Sequence, residues 1–261
     1  MKKIIFSAPG SVILSGEYGI NFGKPALILA ISLRTKAIVT AAKKSVIQAP
    51  HIVKATETVQ NYLRANSIPY KNRPFNIVIQ SEIPKSEVFG YLSALYAVLV
   101  ASLYAFYSGH SPSQETVGSL AYQLEKELHK KTYGIRTSAS SFGGLIYFRK
   151  EFEFLRTISL LKIKVPESIE KYIAINANEI ENTIGKGYNI DASETERLLS
   201  ELEKTTKRMV VSFITEDLSL YKDSVRREEE LLYKLCQKNM HIKTQAVSLA
   251  QDVKGVVSVQ I

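Results

Sequence analysis

Between Tyr91 and Tyr107 the chain runs for about 17 residues without a charge, and only Ser93 and Ser102 interrupt the apolar pattern. A stretch like this needs either a bilayer or a protein interior around it. Its length lies at the short edge of a membrane span, and Gly109 just beyond it is a helix stop. The run therefore predicts a helix buried in a protein core. A helix that is apolar on every side needs partners on every side. The chain is long enough to supply them: its 261 residues, 45% hydrophobic and 23% charged, suit one large domain or two modest ones. The apolar part of MKKIIFSAPG is too short for a signal peptide, so it reads as a first strand and a cytoplasmic protein is expected.

Several chemistries are excluded by composition. The one cysteine, Cys236, rules out an internal disulfide or a Cys-based metal site. Its place in LLYKLCQK reads as a buried thiol on a helix. His51, His110, His129 and His241 fit no zinc spacing. Charge is unevenly spread: residues 1–150 carry a net +11 and residues 151–261 a net −2, with no aspartate before Asp191. The first half can attract anions, and it has only glutamate to hold a hard metal ion.

Along the chain, KKIIFSAP and SVILSG read as two strands around a turn at Pro9-Gly10. Strand-like runs continue through ALILAISLRTKAIVTAA and KSVIQAP. Residues 52–66 have the spacing of an amphipathic helix, with Val53, Val59 and Leu63 apolar. FNIVIQSEIP reads as a strand, and SPSQETVGSLAYQLEKELHKK as a helix with a marked start. SSFGGLIYFRK is a closing strand. In the second half, LRTISLLKIKV and YIAINAN read as strands. A helix opens at a capping box of Ser193 and Glu196, another covers about residues 218–238, and GVVSVQI is a last strand. This interleaving suggests a compact α+β layer.

The opening stretch SAPGSVILSGEYGINFGKPALILAISLRT is more specific. Pro9, Gly10, Gly16, Glu17, Gly23, Lys24, Pro25 and Ala26 stand in one ordered pattern that resembles the start of a mevalonate kinase of the GHMP small-molecule kinase superfamily. SEIPKSEVFGYLSALYAVLVASL and LEKELHKKTYGIRTSASSFGGLIYFRK resemble its next two motif regions. The likeness is strong over about residues 1–150 and weak beyond. It implies an α+β, two-domain GHMP fold: a ribosomal S5 domain 2-like domain at 1–152 and a ferredoxin-like domain at 153–261. It implies substrate binding by Pro9, Gly10, Glu17 and Tyr18, and it makes a homodimer a reasonable expectation.

The motifs themselves depart from the family at four places. The family's phosphate loop needs small residues at a helix start, where backbone N–H groups meet phosphate. Here Pro84, Gly90 and Ala94 match, but Tyr91 and Leu92 replace two serines, Val88 replaces a glycine, and Glu87 adds negative charge. The family aspartate that handles the substrate hydroxyl aligns with Arg136, which cannot act as a base. The family lysine after Pro-Gly aligns with Ser11. The glycine-rich loop near the chain end keeps only Gly255, with Val253 and Lys254 beside it. Gly90, Ser93 and Gly255 are what remains for nucleotide binding. Glu125, four residues before His129, aligns with the family's metal-binding glutamate, and it also reads as one exposed glutamate of EKELHKK.

Three readings follow. The first is a mevalonate kinase-like protein with impaired catalysis and a binding, regulatory or scaffold role, with no cofactor and with a small anionic ligand or a protein partner. The second is an active, divergent kinase of mevalonate or a related small alcohol, using Mg·ATP, with Glu17 or Glu125 as base. The third is a basic nucleic-acid-binding protein, which no recognisable nucleic-acid motif supports.

Overall fold

In the computed structural model of the protein, the structure describes residues 3–44, 49–85, 89–129, 132–150, 158–163 and 192–235. The chain divides into two compact units, one of residues 1–12 and 29–144, the other of residues 13–28 and 145–261. The expected boundary at residue 152 lies outside the described residues.

The first unit is built around the apolar run. β1 (Ile4–Ser15) and β2 (Ala26–Ala41) each contribute to both units, and β3 (Phe75–Ser81) pairs antiparallel with β2, Ala37 opposite Ile79 and Val39 opposite Ile77. α1 (Pro50–Ala65), α2 (Tyr91–Ser108), α3 (Gln114–Leu128) and α4 (Ile135–Phe142) complete the unit. The apolar run forms α2, and fourteen of its eighteen residues are buried. Leu99, Val100 and Leu103 are wholly inaccessible within one core shared with Val59 and Leu63 of α1 and Leu120 and Leu124 of α3. α2 is long and apolar enough to cross a membrane, but here it is the inner helix of the unit. It ends at Gly109, whose φ of 82° suits only a residue without Cβ strain. α3 starts as expected, with the Ser113 hydroxyl accepting from the Thr116 N–H.

Two local expectations fail. Pro9-Gly10 is no turn: β1 runs unbroken through both residues, and both are buried. The glycine is needed for contact, since a Cβ on Gly10 would lie 2.6 Å from the Phe89 carbonyl oxygen. Ser140 to Phe142 are the last residues of α4, not part of a strand. Gly143 and Gly144 both have positive φ and end that helix before β4 (Leu145–Lys150) begins.

In the second unit, β4 pairs antiparallel with β5 (Ile158–Ile163). α5 (Ala192–Thr215) and α6 (Leu218–Leu235) form a helical hairpin. Leu198 and Leu202 of α5 meet Leu231 and Leu235 of α6. Asp217 stops the chain between them by accepting the Leu220 N–H at 2.9 Å. α5 begins at Ala192, so Ser193 lies within its first turn instead of ahead of it. Cys236, the expected strand at 172–178 and the final strand GVVSVQI lie outside the described residues.

The central packing of α2 sets a stability test. Leu103→Ala leaves a cavity in the largest core and should cost about 2–5 kcal/mol, read as a lower denaturant midpoint at unchanged m-value.

Candidate functional site

Ser11 and Arg136, 125 residues apart, come together. Ser11 is fully buried near the middle of β1, and its N–H donates to the Phe89 carbonyl at 2.9 Å. Gly90, in the left-handed region at φ 68°, is the N-terminal cap of α2 and packs on Ser11. A Cβ at Gly90 would fall 2.6 Å from Ser11 Oγ, so the approach requires glycine. Among the described residues the buried Ser11 hydroxyl has no hydrogen-bond partner. Arg136 stands in the first turn of α4, after Gly134 at φ 76°, and its Nη1 lies 3.5 Å from the Ser11 carbonyl oxygen. Gly134 is also forced: a side chain there would meet the Tyr122 ring at 2.6 Å.

Glu125 belongs to the same unit and is not an exposed member of a charged run. It is half-buried on α3, and the fully buried Thr137 hydroxyl of α4 donates to its carboxylate. Burial raises the Glu125 carboxyl above its ordinary range, while hydrogen bonds from Thr137 and Thr132 and the charges of His129 and Arg136 pull it back down. His129 caps α3, and its Nε2 shares a 2.7 Å hydrogen bond with the Tyr96 hydroxyl of α2. Among the described residues no group of three or more His, Cys, Asp or Glu gathers to hold a metal ion. Glu125 alone could give one carboxylate to Mg²⁺, which is usually bound by one or two carboxylates together with substrate phosphates.

The remaining candidates separate. Pro9 and Gly10 are interior residues of β1. Ser93 is 3% exposed and faces the core. Tyr91 and Leu92 are half-buried against the same core at the start of α2. Bulky side chains therefore stand where a phosphate cradle needs small ones, so these residues do not fit Mg·ATP. Glu87, Val88 and the loop around Gly255 lie outside the described residues. Glu17 and Tyr18 belong to the second unit: Glu17 is exposed, and Tyr18 packs on the leucines of α5 and α6.

Sequence reasoning missed Thr137, Tyr96 and, in the second unit, Glu228. Glu228 carried a readable signal, since it falls at helical spacing in the apolar stripe Tyr221, Val225, Leu231, Leu235. Thr137 and Tyr96 carried none. Because the Thr137 hydroxyl holds Glu125 down, Thr137→Val should move the Glu125 titration midpoint further up, measured by carbon-detected NMR of the carboxyl group.

No family model matches the chain. It is 27% identical over 210 residues to the mevalonate kinase of Archaeoglobus fulgidus, covering 68% of this chain and 71% of that one. It is 30% identical over 187 residues to the mevalonate kinase of Pyrococcus furiosus, covering 60% of this chain but only 55% of that one. The structure of Streptococcus pneumoniae phosphomevalonate kinase shares the fold, with a TM-score of 0.73 at 16% identity over 97% of this chain and 86% of that chain. In sequence the chain is thus similar to archaeal mevalonate kinases, and along nearly its whole length it has the fold of the GHMP kinases.

Proposed function

We propose that this chain is a catalytically silent relative of mevalonate kinase, which keeps the fold and a cationic site but does not transfer phosphate. The observation that carries the reading is the meeting of Ser11 and Arg136. These two positions align with the family's lysine and aspartate. A guanidinium stays protonated and cannot take a hydroxyl proton. A buried serine cannot replace a lysine charge. Tyr91 and Leu92 at the start of α2 add a second obstacle, on the nucleotide side. What persists is attraction for anions: Arg136 could hold a small carboxylate or phosphate-bearing ligand.

A second reading has one observation in its favour. Glu125 is retained, and burial raises its carboxyl, as suits a general base. In that reading the protein is a divergent kinase of mevalonate or a similar small alcohol, with Mg·ATP as phosphate donor.

A turnover assay separates the two. With Mg·ATP and mevalonate at millimolar concentration, the silent reading expects ADP and phosphorylated product at the level of a protein-free blank. It also expects Arg136→Asp alone to restore nothing, because Tyr91 and Leu92 remain. Sustained product formation that Glu125→Gln lowers by about 10²-fold or more would replace this reading with the divergent kinase.

A further inference from the structure

Glu228 sits on the inward face of α6 at 3% exposure. Its Oε1 accepts the Gly16 N–H at 2.7 Å, and the Ser15 hydroxyl on the same turn also interacts with the carboxyl. Gly16 opens the turn that leads to Glu17 and Tyr18. At φ 82°, with a Cβ position 2.3 Å from the Pro25 carbonyl oxygen, Gly16 admits no side chain, so the turn is gripped there by its backbone. One residue before, Ser15 Oγ shares a 2.7 Å hydrogen bond with Thr206 Oγ1 of α5. Two residues after, Tyr18 rests on Leu198, Leu202, Leu231 and Leu235. α6 thus holds the turn at two points, with Glu228 on the Gly16 amide and Leu231 and Leu235 under the Tyr18 ring.

We propose that Glu228 is a positioning residue that works as a proton-operated clasp: its neutral carboxyl holds the Gly16–Tyr18 turn closed, and its ionisation loosens the turn.

The groups facing it have the right signs. Glu17 from the turn and Glu229 from α6 are both carboxylates and oppose a charge on Glu228. α5 presents the Thr206 hydroxyl, bonded to Ser15. Burial is the largest effect and pushes the Glu228 carboxyl up from 4.5 to about 7, against the hydrogen bonds of Ser15 and Gly16. An opened, solvated Glu228 would titrate near the ordinary value. Between 4.5 and about 7 the open form ionises while the closed form stays neutral, so opening is favoured about tenfold more with each pH unit. Above about 7 both forms are ionised and the dependence levels off.

The test is NMR amide exchange at Gly16, Glu17 and Tyr18 in the full chain from pH 5 to 8, expressed as protection factors. In the unmodified protein, Gly16 protection should fall by about 40-fold from pH 5 to 7 and then flatten. Glu228→Gln keeps an oxygen for the Gly16 N–H and cannot ionise, so its protection should be flat over the whole range. Glu228→Ala should leave Gly16 weakly protected at every pH, and the Gln variant carries the test if the Ala variant does not fold. Protection in the unmodified protein that ignores pH, or a Gln variant that copies its pH profile, would overturn the clasp. The clasp does not rest on the proposed loss of phosphate transfer, and its failure would leave that reading untouched.

Discussion

Where β1 passes the start of α2 there is no room for a side chain. Gly90 packs against Ser11, the Phe89 carbonyl takes the Ser11 N–H, and Gly10 lies beneath that same carbonyl. This close backbone approach fixes where α2 begins, and with it the inner helix on which α1 and α3 pack. It also fixes the ground on which Arg136 stands, because the Ser11 carbonyl is the group its guanidinium reaches. Under the proposed reading, the glycines at this contact remain as packing residues, while the side chains that would touch phosphate or a substrate hydroxyl are replaced.

That division explains how a fold can outlast its chemistry. Backbone contacts at Gly10, Gly90 and Gly134 are required by the packing, whatever the protein does. At positions 11, 91 and 92 the present side chains are themselves fitted to the core, so a change of chemistry there would have to keep the packing. Under the proposed reading, serine and arginine in place of a lysine–aspartate pair would favour anion attraction over proton handling. Glu125 is held in place by the Thr137 hydroxyl.

What could be read from the sequence followed the range of the forces involved. The burial of α2 was legible because a charge-free run has so few places to go. The start of α3 was legible because capping is local, carried by Ser113 alone. The meeting of positions 11 and 136 was not legible: the motifs marked each residue separately, and nothing local joins them. Pro9-Gly10 misled because its turn chemistry is a local preference, which a long-range contact with Phe89 overrides. Ser140 to Phe142 misled because the glycines that separate helix from strand lie after them, not before. Glu228 stood in a run of three glutamates that looks like a solvated face, and only its position in the apolar stripe marked it as buried.

The central claim is that the nucleotide site is closed to phosphate while the fold is intact. The most direct measurement is a calorimetric titration of the folded protein with Mg·ATP, with and without mevalonate. The account predicts no saturable heat up to millimolar nucleotide. Saturable binding at micromolar affinity would contradict it, because Tyr91 and Leu92 would then have to admit a triphosphate that their bulk at the start of α2 should exclude.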